Sequence, residues 1–205
     1  MTDDAAIPKR RSIRIPSFDY TRCGTYFVTL CAFRRQTVFG EIVDGKMCPC
    51  PLGRLVLAQW DMLPSRFRHV ELGPRVVMPN HLHGVIAFAD DAGTASRAPT
   101  EERFGRPVAG SLPTMIRSFK SGVAREARRL RVSVGEHVWQ RGYFEHIVRN
   151  ERALWRIAGY ILTNPERWCE DRENPGRSRV DEFDHWLTSH QGRRGDLSCS
   201  GGEHE

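Results

Sequence analysis

The chain has 205 residues, enough for one domain of ordinary size with extensions and a hydrophobic core. Its 31 Lys and Arg residues outnumber its 25 Asp and Glu residues, and this net charge of +6 favours a polyanionic partner, nucleic acid first. The sequence has no apolar run of the ~20 residues that a membrane helix needs, no signal-peptide pattern and only scattered cysteines. We therefore expect a soluble cytoplasmic protein with reduced thiols, located at the nucleoid if its partner is DNA.

The N-terminal segment is basic and is followed by a strongly β-forming run. Residues 1–19 include Arg10, Arg11 and Arg14, which predicts a charged arm that is either simply solvated or grips a DNA groove or hairpin. Residues 25–32 are rich in β-branched and aromatic side chains, so we predict a buried strand there.

Two hairpins and a helix are predicted next. The pair Asp44-Gly45 is typical of a tight hairpin turn. Apolar residues at three- and four-residue spacing over 52–63 predict an amphipathic helix that lies on a sheet. Two apolar runs, 70–78 and 81–89, are joined by Pro79-Asn80 and predict an antiparallel pair of strands.

The middle of the chain combines a polar insertion with a basic helix. Residues 90–110 are small, polar and charged, which indicates a flexible insertion in the domain. After it, the apolar spacing predicts a second amphipathic helix whose polar positions include Arg117, Lys120 and Arg125. These cations either face solvent, as most charge runs do, or contact a DNA backbone.

The last part of the chain predicts a strand, a third helix and a polar tail. Residues 138–148 favour a strand, and Asn150 is suited to cap the N-terminus of a helix. The polar composition of 171–205 predicts a partly disordered tail, which leaves 20–170 as the folded domain. The element order predicts an α+β fold with helices on a small, mainly antiparallel sheet, most simply a ferredoxin-like one.

Two histidines flank one apolar residue at the start of a predicted strand. In a strand, His81 and His83 point to one face while Leu82 points to the other. Such a pair can hold a divalent metal ion on a rigid support, where the ion polarises a phosphate or carbonyl oxygen. A His-Leu-His run alone is more often structural. The interpretation as a catalytic metal site therefore requires a nucleophile elsewhere in the chain.

A tyrosine on the third helix is the candidate nucleophile. Residues 154–162 predict an apolar stripe, and Tyr160 lies about 130° from the centre of that stripe. There it shares a face with Arg156, Asn164 and Arg167, and nearby positive charge would favour the ionised phenol. The Asn164 amide oxygen could be a third metal ligand, although the following proline disfavours the α conformation and the helix could end there.

Three ordered motifs resemble the REP-associated tyrosine transposases of the HUH endonuclease superfamily. They are Val77-Met-Pro-Asn-His-Leu-His-Gly-Val-Ile86, Trp139-Gln-Arg-Gly-Tyr-Phe-Glu-His-Ile-Val-Arg-Asn-Glu151 and Tyr160-Ile-Leu-Thr-Asn-Pro165. The likeness covers the chain from Tyr20 to Trp168. The resemblance implies a ferredoxin-like or RRM-like α+β fold. It also implies a single-stranded DNA endonuclease and transposase with one catalytic tyrosine.

Site residues follow from the resemblance by position. It implies that His81 and His83 bind the metal, that Tyr160 is the nucleophile and that Asn164 is a further ligand near that tyrosine. It implies Mg²⁺ or Mn²⁺ as the cofactor and single-stranded DNA with hairpin-forming repeats as the partner of a monomer or homodimer. Tyr160 would form a 5′-phosphotyrosine bond, which a later 3′-hydroxyl reverses in strand transfer.

Other interpretations of the same residues stay open. Tyr143 is a rival nucleophile that could equally pack against the sheet, and His146 is either structural or a supporting group of the site. The protein could also be a domesticated nucleic-acid-binding module without strand transfer. A third alternative is a phosphodiesterase that activates water and uses Tyr160 only to bind DNA.

Overall fold

A computed structural model of the chain describes residues 24–89, 108, 110–132, 137–179 and 181–190. The predicted basic arm with Arg10, Arg11 and Arg14 lies outside these ranges, as do most of the predicted insertion and residues 191–205. None of the helices in the described part of the chain combines the length and the apolar character needed to span a lipid bilayer.

Six strands and five α-helices make up the described structure. The strands are β1 (Gly24–Cys31), β2 (Gly40–Val43), β3 (Lys46–Pro49), β4 (Val70–Met78), β5 (His81–Phe88) and β6 (Phe144–Val148). The helices are α1 (Pro51–Asp61), α2 (Leu63–Arg66), α3 (Leu112–Arg129), α4 (Glu151–Thr163) and α5 (Glu182–Ser189). Short 3₁₀ turns cover Phe33–Arg35 and Trp168–Glu170.

Four of the strands form one antiparallel sheet with the order β4-β5-β1-β6, and β2 and β3 form a separate hairpin. Numbered among themselves in chain order, the four sheet strands are arranged 2-3-1-4. With the intervening α1 and α3, this is the β-α-β-β-α-β arrangement of a ferredoxin-like domain. The predicted α+β class and the predicted β4–β5 hairpin are therefore confirmed.

Alternate side chains of the sheet point to opposite sides, and helices bury both faces. One face packs against α1 and α3 and forms the main core. The other face packs against α4 and α5 and forms a smaller core around Phe27 and Val85. The two histidines of β5 belong to this second face, since they alternate with Leu82 of the main core.

The glycine that follows the two histidines is required by packing. A Cβ atom at Gly84 would overlap the indole ring of Trp60, which is fully buried on α1. We expect Gly84→Ala to lower the free energy of unfolding by about 1–3 kcal/mol, because a crowded core must shift to accommodate the methyl group. Urea unfolding followed by circular dichroism measures this change.

Gly159→Ala is the matched control for that substitution. Gly159 is exposed in the middle of α4, and a Cβ atom there has no neighbour within 4 Å among the described residues. Alanine at this position should raise the free energy of unfolding by about 0.5–1 kcal/mol, because glycine loses more backbone entropy in a helix. A stabilised Gly84→Ala variant would contradict the packing explanation.

Three local expectations differ from the structure. The segment predicted as a strand over 138–148 turns at Gly142, where φ is +72°, so that β6 begins only at Phe144. The predicted apolar stripe of the third helix is wrong at its end, since Leu162 is 71% exposed whereas Tyr160 is 5% exposed. The cause is α5, which covers a second side of α4 and which the polar composition of its segment did not predict.

Candidate metal and tyrosine site

The two histidines lie at the start of β5, next to β1 in the sheet. His81 is opposite Cys31 and His83 is opposite Thr29, and both imidazoles are buried. His83 Nδ1 is 2.9 Å from Thr29 Oγ1, and His81 Nδ1 is 2.8 Å from Asn80 Oδ1. Since both Nδ1 atoms have hydrogen-bond partners behind them, both Nε2 atoms are left to face a common point between the sheet and α4.

Tyr160 reaches the same point from α4. The helix begins where predicted, with Asn150 Oδ1 accepting a hydrogen bond from the Ala153 amide at 2.8 Å. The Tyr160 hydroxyl lies 3.4 Å from His83 Nε2, and it donates to Asp171 Oδ2 at 2.9 Å. The predicted nucleophile and the predicted ligand pair are thus brought together over 77 residues of sequence separation.

Asp171 completes the cluster and was not predicted. Its Oδ2 atom lies 3.7 Å from His81 Nε2 and 3.6 Å from His83 Nε2, and the carboxylate is buried. Its Oδ1 atom accepts a hydrogen bond from the Glu173 amide at 2.6 Å, which fixes the orientation of the carboxylate. Asp171 directly follows the 3₁₀ turn at Trp168–Glu170. The potential ligand atoms of the two histidines and Asp171 all lie within 4.8 Å of one another.

Asn164 lies beside this cluster and is fully buried. The α4 helix ends at Thr163, yet Asn164 keeps the α conformation with φ −56° and ψ −39° despite the following proline. Its amide Nδ2 donates to Asp171 Oδ2 at 2.7 Å. Within the described part of the chain, its Oδ1 atom and His81 Nε2 are buried without a hydrogen-bond partner. Unpartnered acceptors of this kind are rare in a protein interior, so these two atoms are candidates to bind an additional group such as a cation.

The environment of Tyr160 opposes ionisation of the phenol. Burial raises its pKa well above the ordinary value, and the adjacent Asp171 carboxylate raises it further. The expectation that positive charge favours the phenolate is therefore wrong for this structure. Arg167 is paired with Glu170 and Asp181, and Arg156 lies over the Trp186 ring.

The titration of the neighbouring groups suits a cation. Burial lowers the pKa of His81 to about 3, so that its ring is neutral and Nε2 keeps a lone pair. Burial alone would raise the pKa of the Asp171 carboxyl, but His81, His83 and the Asn164 amide together hold it well below its usual range. The site therefore offers two imidazoles and one carboxylate, a donor set that can hold a divalent metal ion.

A helix covers the tyrosine. The Phe183 ring of α5 stacks on the Tyr160 ring with 3.8 Å between centroids and 9° between planes. Asp181 caps α5 by accepting from the Phe183 amide at 2.9 Å, and it pairs with Arg167 at 2.8 Å. The residues from Asp171 to α5, which were expected to belong to a polar tail, therefore form one wall of the site.

The basic positions predicted on the second helix lie away from this wall. The α3 helix packs on the opposite face of the sheet, where Arg117 and Arg125 are exposed. The Lys120 ammonium donates to the carbonyl oxygens of Gln140 and Gly142, at 2.9 and 2.5 Å. Burial lowers the pKa of Lys120 to about 8. A role of these three cations in DNA binding stays a prediction.

The two residues with open interpretations are packed in the structure. Tyr143 is half-buried and contacts the main core. His146 is buried on β6, opposite Phe27 in the strand register, and its ring lies 5.9 Å from that of Trp186. Burial lowers the pKa of His146 to about 4. The group of potential metal ligands among the described residues, His81, His83 and Asp171, includes neither side chain.

Comparison with known proteins relates the fold to one class. A solved structure of a REP-associated tyrosine transposase bound to a REP hairpin is similar over 94% of this chain and 98% of that chain, with a TM-score of 0.50 and 15% sequence identity. The chain has the fold of the REP-associated tyrosine transposases, as its motifs predict. No protein-family model matches the sequence.

A sequence relative gives the family. A protein of Haemophilus influenzae, described as uncharacterized, is 36% identical over 173 residues, which are 82% of this chain and 95% of that protein. The chain belongs to the same family as this protein.

Proposed function

We propose that the protein is a metal-dependent tyrosine transposase that binds and cleaves single-stranded DNA. The observation that carries the proposal is the position of the Tyr160 hydroxyl, 2.9 Å from Asp171 Oδ2 and 3.4 Å from His83 Nε2. A hydroxyl nucleophile beside a set of metal ligands is an arrangement that can cleave a phosphodiester with a covalent intermediate. The basic net charge of +6 suits a polyanionic substrate.

The chemistry is a transesterification in which the number of phosphodiester bonds is conserved. A bound divalent ion would polarise the scissile phosphate and stabilise its charge. The Tyr160 oxygen attacks phosphorus, the bond from phosphorus to the 3′ oxygen breaks, and the products are a 5′-phosphotyrosine and a 3′-hydroxyl. Asp171 Oδ2 already accepts the phenolic hydrogen bond, so it is placed to take the proton that Tyr160 loses.

The ligands proposed for the ion are the Nε2 atoms of His81 and His83 and the carboxylate of Asp171. The Asn164 Oδ1 atom is an additional proposed ligand, because it is buried without a partner among the described residues. Mixed imidazole and carboxylate donors suit Mn²⁺, while Mg²⁺ favours oxygen ligands and would keep several waters. We propose Mn²⁺ or Mg²⁺ as the native ion.

The proposed substrate is a DNA hairpin with a single-stranded flank, of the kind formed by repeated palindromes. A related fold is described in complex with a REP hairpin, which supports this choice. Phosphate contacts are proposed for Arg10, Arg11, Arg14, Arg117, Lys120 and Arg125. The protein would act on nucleoid DNA in the cytoplasm, as a monomer or homodimer.

An adduct assay tests the proposal. End-labelled hairpin DNA with a single-stranded flank is incubated with the full chain and Mn²⁺ or Mg²⁺, and the products are separated under denaturing conditions. A metal-dependent, protease-sensitive protein–DNA adduct is the expected result. Cleavage without an adduct would identify a water-activating phosphodiesterase, and binding without cleavage would identify a nucleic-acid-binding module. Either of these outcomes overturns the proposed mechanism.

Loosening α5 should accelerate adduct formation, because Tyr160 is buried and its ring is stacked under Phe183, which limits the access of DNA. A stacked aromatic pair contributes about 0.5–1.5 kcal/mol beyond its buried area, so Phe183→Ala should raise the initial rate by about 2- to 13-fold. His185→Ala, at an exposed position of the same helix, is the control and should leave the rate unchanged. A slower or unchanged Phe183→Ala variant would show that α5 does not restrict access.

A further inference from the structure

Asn80 joins His81 to two other segments of the chain, one at Arg35 and one at Glu173. Asn80 lies in the turn between β4 and β5, and its side chain is fully buried. The amide Nδ2 atom donates to the carbonyl oxygen of Arg35 at 3.1 Å and to that of Glu173 at 2.7 Å. The amide Oδ1 atom lies 2.8 Å from His81 Nδ1.

These contacts fix which way the amide points. Carbonyl oxygens only accept hydrogen bonds, so the NH₂ group of Asn80 must face Arg35 and Glu173. The Oδ1 atom then faces His81, and the hydrogen atom of that contact must come from His81 Nδ1. A neutral imidazole has one ring hydrogen, so Nε2 is left with its lone pair. That Nε2 atom is the one that faces Asp171, 3.7 Å away.

The same amide also bonds to the backbone of two other segments, at Arg35 and at Glu173. Arg34 and Arg35 have φ values of 52° and 55°, a left-handed backbone that costs about 1–2 kcal/mol per residue and requires outside support. The Arg35 guanidinium pairs with Glu173 at 2.9 Å, and Glu173 lies two residues after Asp171. Asn80 therefore bonds to the backbone of both partners of an ion pair.

We infer that Asn80 is a positioning residue that sets the tautomer of His81 for metal binding. This inference rests on the metal site of the proposed function. Groups behind a metal ligand commonly change metal affinity about 10–100-fold when they are removed, since they orient the ligand ring and fix its hydrogen.

The first measurement is made on the metal-free wild-type protein. Long-range ¹H–¹⁵N correlation spectra of histidine-labelled protein report which ring nitrogen carries the hydrogen, and His81→Gln assigns the signal. We expect His81 with the hydrogen on Nδ1 and a bare Nε2. A hydrogen on Nε2 would overturn the inference without any reference to the folding of a variant.

The second measurement is the affinity for Mn²⁺ by calorimetry. Asn80→Leu removes the acceptor for His81 Nδ1 and should weaken Mn²⁺ binding about 10–100-fold, with mixed tautomers at His81. Asn80→Asp loses both donations but keeps an acceptor oxygen, so it should retain the wild-type tautomer and bind Mn²⁺ within about threefold of wild type or more tightly. Equal loss in both variants, or no loss in Asn80→Leu, would contradict a role exerted through His81. Failure of the wild-type protein itself to bind Mn²⁺ would instead refute the metal site of the proposed function.

Discussion

Replacing Tyr160 by phenylalanine is expected to abolish adduct formation and to reduce cleavage of hairpin DNA by at least about 10³-fold, since the variant lacks the attacking oxygen. The aromatic ring stays, so its contacts with Phe27 and Phe183 are preserved and the fold should be retained. The same adduct assay measures the loss, and a filter-binding titration should give a DNA affinity close to that of wild type.

Tyr143→Phe is the matched control for this experiment. Tyr143 lies in a neighbouring motif, but its ring packs against the main core on the other side of the sheet. The control should form the adduct at the wild-type rate. An adduct that persists in Tyr160→Phe and disappears in Tyr143→Phe would move the nucleophile to the rival tyrosine.

The buried setting of Tyr160 constrains how the reaction begins. With its pKa raised by burial and by Asp171, the phenol is protonated at rest and needs a proton acceptor during attack. The hydroxyl and Asp171 Oδ2 already share a hydrogen bond. A cation bound at the histidines would offset the negative charge of the Asp171 carboxylate, and this carboxylate would then raise the pKa of Tyr160 less.

Local patterns predicted the part of the site that short-range geometry controls. The alternation of a strand places His81 and His83 on one face whatever surrounds them. The Asn150 cap marks the start of α4, and helical spacing places Tyr160 in its last turn and Asn164 directly after the helix. These relations extend over four residues or fewer, so a sequence states them almost directly.

The missing parts depend on contacts over long sequence separations. Asp171 meets His81 from 90 positions away, and nothing in the sequence of a polar segment marks one acid among several as buried. A short signal did exist for α5, where Phe183 and Leu187 are four residues apart after a capping Asp181. Because α5 buries Tyr160, the pKa of the phenol is raised. The sequence predicted the opposite direction, since it did not predict this helix.

Asp171→Asn should reduce Mn²⁺ affinity by at least about 100-fold, because it removes the negative charge of the proposed ligand set while keeping the shape of the side chain. Calorimetry on the folded variant measures the affinity, and cleavage of hairpin DNA should be lost in parallel. Glu173→Gln is the matched control, since its carboxylate is equally buried nearby but pairs with Arg35. That variant should keep Mn²⁺ affinity within about tenfold of wild type.

A comparison with Asn164→Ala decides which of the two proposed ligands, Asp171 or Asn164, contributes more to metal binding. In the metal-free protein the Asn164 amide and the Tyr160 hydroxyl both donate to Asp171 Oδ2, so the carboxylate already lies where these groups and the histidines converge. If Asp171 is the stronger ligand, Asn164→Ala weakens Mn²⁺ binding less than Asp171→Asn does. The reverse order would make the Asn164 Oδ1 atom the stronger ligand and would leave proton acceptance from Tyr160 as the main role of Asp171. The Asp171 carboxylate contacts both the Tyr160 hydroxyl and the Asn164 amide. This comparison therefore separates the role of Asp171 as a metal ligand from its role as a proton acceptor.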